Sequence, residues 1–180
     1  TRFVDRAQAG ELTIYNEAGP DASGAGQTSF ENASSAGSAR IVSLGGRAAL
    51  MSGGQLKFLD DASAAGARIG NNGGTVAGAS GGETLFQGAA RAGSATIVNA
   101  AGEIAGASGG VTRFAGNAGA GNATISNETS LSSGGGGRGT TFFAGSSSAQ
   151  NARIDNQGGT FAINAFTTFT QSATAGDATI

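Results

Sequence analysis

Apolar residues recur along this chain on one fixed schedule. A Phe is followed eleven residues later by an Ile at Phe3/Ile14, Phe30/Ile41, Phe58/Ile69, Phe86/Ile97, Phe114/Ile125, Phe143/Ile154 and Phe169/Ile180. The unit repeats with a period near 28 residues, starting near positions 1, 28, 56, 84, 112, 141 and 167. A fixed period of this size is the signature of a solenoid, in which the chain returns to the same place once per repeat. Thr stands two residues before the Phe in every copy except one, where Leu56 replaces it. Ala stands six residues after the Phe in every copy, from Ala9 to Ala175. Asn stands two residues after the Ile at Asn16, Asn71, Asn99, Asn127 and Asn156, with Ser43 as the exception.

T-x-F and A-x-I-x-N alternate with period two, so each predicts a short strand with its named residues on one face. A third, weaker strand is predicted at Thr75-Val76-Ala77, Glu103-Ile104-Ala105 and Thr160-Phe161-Ala162. Three short strands per coil, separated by Gly, Asn and Ser turns, predict an all-β parallel β-helix, a β-solenoid of about six and a half coils over residues 1–180. The general chirality of parallel crossovers predicts a right-handed wind. Helix is disfavoured, because each copy carries several Gly, at about 1 kcal/mol per helical site relative to Ala.

One coil cannot bury its own Phe and Ile. Stacked coils align them into ladders that shield one another from water. At about 4.8 Å per coil, the stack predicts a rod roughly 30 Å long. The repeated Ala columns predict a narrow interior. The Asn column predicts an amide ladder at a bend, each side chain bonding to the next coil. The Phe, Ile and Asn columns are therefore expected to be structural.

Composition narrows the chemistry. The chain has 34 Gly, one Pro, no Cys, no His and a net charge of −2. Without Cys or His, disulfides, nucleophilic triads and the common zinc sites have no residues to build them. The charge gives no pull toward nucleic acid, and no apolar run reaches the roughly 20 residues of a membrane helix. Asp5 and Asp60 share a register, but Asn32, Gly88 and Gly116 occupy it on other coils. Asp60-Asp61 is the one adjacent acidic pair. Glycoside chemistry needs two carboxyls at a defined separation, and this dispersion predicts no catalytic, cofactor or metal site. No column repeats the G-G-x-G-x-D pattern of calcium rolls. The run Ser132–Gly139 lacks the Lys-Ser/Thr ending of a phosphate loop and predicts an insertion between coils. Sequons at Asn32, Asn122 and Asn127 are expected by chance in so Asn- and Thr-rich a chain.

Two outward columns remain. Thr13, Arg40, Arg68, Thr96, Thr124, Arg153 and Thr179 stand beside the Ile column. Arg2, Ser29, Lys57, Leu85, Arg113, Phe142 and Thr168 stand beside the Phe column. Arg interrupts the Thr that a flat ice-binding face needs. The favoured expectation is a solvated strand face whose charges discourage lateral aggregation; contact with polyanions such as surface polysaccharide is the alternative.

The phrases A-G-S-A-T-I (92–97), A-G-N-A-T-I (120–125) and A-G-D-A-T-I (175–180), alternating with G-G-x-T-x-F, resemble repeats of autotransporter passenger domains and related adhesin-like bacterial surface proteins. That resemblance implies an extracellular location at the bacterial cell surface and a structural stalk or adhesin segment. The alternatives are a fibre subunit stacking end to end and a polysaccharide-binding or polysaccharide-active β-helix. The chain starts on a T-x-F and stops on an A-T-I, without caps. A fragment of a longer repetitive protein is expected, its partners being further coils of the parent, end-to-end copies or glycans, with no direct membrane insertion of this segment.

Overall fold

The computed structural model describes residues 1–19, 24–130, 135–159 and 164–180. The first coils contribute β1 (Arg2–Phe3), β2 (Thr13–Asn16), β3 (Gln27–Phe30), β4 (Arg40–Ser43), β5 (Gln55–Phe58) and β6 (Arg68–Asn71). They are followed by β7 (Glu83–Phe86), β8 (Thr96–Asn99), β9 (Val111–Phe114), β10 (Thr124–Asn127), β11 (Thr140–Phe143), β12 (Arg153–Asn156) and β13 (Phe166–Phe169). Each strand pairs in parallel with its counterpart one coil away. The result is a seven-stranded sheet, β1-β3-β5-β7-β9-β11-β13, and a six-stranded sheet, β12-β10-β8-β6-β4-β2. Register is kept along both: Phe58 faces Phe86, and Ile97 faces Ile125. The chain is an all-β solenoid with no helix among the described residues.

The third side differs from expectation. Between the two sheets runs a column of single parallel bridges, Gln8, Ser35, Ser63, Arg91, Gly119, Ser148 and Thr174. It is the third ladder of the coil, and it lies between T-x-F and A-x-I rather than after the Asn. Thr75–Ala77 and Glu103–Ala105 are not strands. They sit in turns closed by bonds such as Ala79 N–H to the Val76 carbonyl and Ala107 N–H to the Ile104 carbonyl, both 3.1 Å. Gly78 and Gly106 follow in the left-handed region, with φ of 78° and 79°. That conformation bends the chain back and ends any extended run. Thr160–Ala162 lies outside the described residues.

The turn segment is a lateral excursion with a narrow neck. The Gly before each T-x-F donates its N–H to the residue that follows the Asn or Ser of the column: Gly54 to Leu44, Gly82 to Asn72, Gly110 to Ala100 and Gly139 to Glu128, at 2.7–2.8 Å. A Cβ on Gly110 would lie 2.0 Å from the Asn71 carbonyl oxygen of the adjacent coil. Here the Gly-rich stretch is a steric requirement of close backbone approach, not a flexible linker.

The core is the space enclosed by the two sheets and the bridge column. Phe30, Phe58, Phe86, Phe114 and Phe143 are fully buried. Ala36, Ala64, Ala92, Ala120 and Ala149 are buried with them. All seven column Phe stack in one ladder, centroids 4.6–4.9 Å apart and planes within 4–9° of parallel. At about 0.5–1.5 kcal/mol per pair beyond area burial, the stack adds to the hydrophobic term at every rung.

Candidate functional site

The predicted Asn ladder is present. Asn71 Nδ2 donates to Asn99 Oδ1 at 2.8 Å, Asn99 to Asn127 at 2.7 Å, and Asn127 to Asn156 at 2.8 Å. Asn16, which meets Ser43 instead, donates to Ser43 Oγ at 3.5 Å. The Ile column is buried from Ile41 to Ile154, half-buried at Ile14, and exposed at Ile180. Ile180 therefore lies outside the buried part of the ladder assigned to it: residue 180 belongs to no strand, and its side chain is 58% exposed.

The T-x-F Thr residues form a second half of this ladder that the alternation alone does not reveal. Thr28, Thr84, Thr112, Thr141 and Thr167 donate through Oγ1 to Oδ1 of Asn16, Asn71, Asn99, Asn127 and Asn156 at 2.7–3.0 Å. The amides of Asn71, Asn99 and Asn127 reach back to Oγ1 of Thr112, Thr141 and Thr167 at 3.1–3.2 Å. The amides of Asn99 and Asn127 are thereby saturated, two bonds donated and two accepted, which removes the cost of placing them in a dry interior. One rung breaks the chemistry on both sides at once. Where Ser43 replaces Asn, Leu56 replaces the Thr that would have bonded to it, and both are fully buried. This paired exchange is the one sequence signal of the Asn–Thr coupling.

The shared register of Asp5 and Asp60 has a backbone explanation. Asp5, Asn32, Asp60, Gly88, Gly116, Gly145 and Gln171 occupy one turn column, all with φ between 57° and 78°. Gly, Asn and Asp are the residues that tolerate this left-handed conformation best. Asn32 Nδ2 donates to Asp5 Oδ1 at 3.2 Å, and Asn32 N–H donates to Asp60 Oδ2 at 3.1 Å. Of the sequons, Asn127 is fully buried in the ladder, while Asn122 is exposed and accepts from Asn151 at 3.3 Å. Residues 132–134 of the Gly-rich insertion lie outside the described residues.

Outward chemistry gathers in three places. At the first, Arg2 bonds to Glu31 through two N–H groups, and Ser29 Oγ also donates to Glu31 at 2.9 Å. The hydrogen bond from Arg2, then that from Ser29, holds the Glu31 carboxyl below its ordinary range. The same bond raises the Arg2 guanidinium. At the second, the Arg113 guanidinium bonds to Glu83 at 2.6 Å and lies 4.8 Å from the Phe142 ring centre. Phe142 meets Phe166 edge-on at 5.8 Å, and Arg138 lies 4.7 Å from the Phe166 ring centre. The third is a groove of about 380 Å³ on the six-stranded sheet, with Arg40 and Arg68 beside each other on β4 and β6. Arg40 Nη1 donates to the Tyr15 hydroxyl at 3.0 Å.

The chain matches no protein-family model, no curated protein and no solved structure.

Proposed function

We propose that this chain is a structural stalk or adhesin segment of a bacterial surface protein of autotransporter type. The observation that carries the reading is the uninterrupted Phe ladder, seven rings in register with centroids no more than 4.9 Å apart. Together with the parallel sheets and the Asn–Thr column, it makes a rod whose every coil braces its neighbours. Such a rod holds a shape over distance without a ligand, metal or catalytic centre. Quasi-one-dimensional packing also lets coils be added without redesigning the core, which suits a spacer. The resemblance of the A-G-x-A-T-I phrases to surface repeats supports the location.

The test is surface exposure in the source organism. Antibodies raised against this segment are applied to intact cells and to permeabilised cells. The reading expects equal labelling of both, and removal of the signal by protease added outside. Labelling confined to permeabilised cells would overturn it.

A further inference from the structure

One strand glycine in this fold is unexplained by the fold itself. Among the described residues, Gly70 is the single Gly within a strand. It occupies the outward position between Ile and Asn, where the other coils carry Tyr15, Val42, Val98, Ser126 and Asp155. The neck glycines have backbone within about 2 Å of where a Cβ would stand, and the turn glycines have positive φ. Gly70 has neither: its φ is not among the positive ones, and an added Cβ would meet nothing nearer than 3.9 Å. Gly in a strand interior weakens the strand relative to Ala and often marks a place where a ligand comes close.

The surroundings point to the ligand. The missing side chain leaves a notch between Val42 and Val98, in the floor of the 380 Å³ groove. Arg40 and Arg68 stand directly opposite each other in the parallel register along its rim. Like charges so placed repel. Among the described residues, neither guanidinium has a carboxylate partner within ion-pair distance. Arg40 is held by the Tyr15 hydroxyl and lies 5.8 Å from its ring centre, while Arg68 is exposed and, among the described residues, has no hydrogen bond to another side chain. Tyr15 is 56% exposed. Two unneutralised forks one strand spacing apart, about 4.8 Å, suit an oxyanion such as a carboxylate or a sulfate. The apolar notch and the exposed tyrosine ring suit the C–H face of a sugar ring, and Asn72 and Thr96 offer hydrogen bonds to hydroxyls at the edge.

We propose that the notch over Gly70 binds an acidic polysaccharide, with its carboxylate or sulfate group between Arg40 and Arg68 and its sugar ring over Gly70. The inference stands independently of the stalk reading, because it concerns this surface and not where the protein resides.

The experiment is calorimetric titration with oligogalacturonate, dextran sulfate and neutral dextran. It is run on the wild-type chain and on Gly70→Val, Arg68→Gln and Arg153→Gln. Valine matches Val42 and Val98 on the flanking strands, so Gly70→Val is expected to fold with unchanged or raised thermal stability. The proposal expects binding of at least one acidic polymer and none of dextran, and which acidic polymer binds identifies the group. It expects at least tenfold weakening by Gly70→Val and by Arg68→Gln, and less than twofold by Arg153→Gln, which lies in the same column four coils from Arg40. Equal weakening by both arginine variants would make the attraction diffuse charge and overturn the site. Absence of binding by both acidic polymers would overturn it too. So would self-association of the wild type that Gly70→Val abolishes, since a second copy would then occupy the notch.

Discussion

The coupling between Asn and Thr columns can be measured by rebuilding the natural exception elsewhere in the stack. At the rung of Asn99, the amide donates to Asn127 Oδ1 at 2.7 Å and to Thr141 Oγ1 at 3.2 Å, and it accepts from Asn71 and from Thr112, each at 2.8 Å. Asn99→Ser deletes the amide and leaves Thr112 Oγ1 buried without its acceptor. At about 1 kcal/mol per net bond, plus the desolvation cost of an orphaned group, the loss is about 2–4 kcal/mol. Thr112→Leu removes the hydroxyl that Asn71 and Asn99 both use, and places methyl groups against a buried carbonyl oxygen, costing about 1–3 kcal/mol. The double variant Asn99→Ser/Thr112→Leu recreates the Ser43–Leu56 pair, in which the small hydroxyl makes room for the leucine. The double variant is therefore expected to be more stable than the sum of the singles by at least about 1 kcal/mol. The assay is urea unfolding of all four chains followed by far-ultraviolet circular dichroism. Additivity within about 0.5 kcal/mol, the behaviour of independent sites, would refute the coupling.

Three further outcomes follow from single positions. Phe86→Ala or Phe114→Ala removes a fully buried rung between two stacked rings and is expected to cost about 3–5 kcal/mol in the same urea assay; an unchanged midpoint would contradict the ladder. Ser34 Oγ is buried without a hydrogen-bond partner, and Ala62, Ala90 and Ala118 fill the same position on later coils. Ser34→Ala is thus expected to stabilise by about 1 kcal/mol, read as a raised Tm, whereas a lowered Tm would mean that the hydroxyl has a partner. Gly110→Ala forces the Asn71 carbonyl away from the neck and is expected to cost about 1–3 kcal/mol, with faster amide exchange at residue 110, whose N–H bonds to the Ala100 carbonyl. Ala165, at the neck of a later coil, shows the same widening in the native chain: its bond to the Gln157 carbonyl is 3.1 Å against 2.7–2.8 Å at the glycine necks.

What was legible in the sequence is what repeats at fixed spacing and reports on one residue at a time. Phe, Ile, Ala and Asn each mark a column because a stacked coil has the same neighbour above and below. The Thr half of the polar ladder was hidden. Thr is also a good strand former, and its bond spans the excursion to a residue that no local pattern connects to it. The joint change at Ser43 and Leu56 carried that information. The third strand was misplaced because T-V-A and E-I-A alternate as a strand would, while the turn is dictated by the residue that follows. Gly78 and Gly106 supply the left-handed bend, and Leu50 adopts it with φ of 65° while its side chain is 77% exposed. A single bridge per coil at Ser35 or Arg91 leaves no periodic trace at all, since one residue has no alternation to show.

The same glycine means different things on different sides of the coil, and the contrast separates what the fold needs from what it leaves free. At Gly110 the adjacent backbone occupies the space of a side chain, so the fold demands glycine. At Gly88 and Gly116 positive φ demands it, although Asp60 and Asn32 show that the demand is soft in that column. At Gly70 neither argument applies, and two flanking valines show what the strand accepts there. The interior of every coil is nearly the same residue set, so it encodes the rod and, the Ser43–Leu56 rung aside, does not distinguish one coil from another. Apart from the Ser43–Leu56 rung, distinctions lie in the outward columns, where Arg40 and Arg68 stack like charge on like charge against the usual rule for neighbouring strands. A feature that costs stability in two independent ways, in backbone entropy at Gly70 and in repulsion across its rim, is better explained by something bound there than by the rod it sits on.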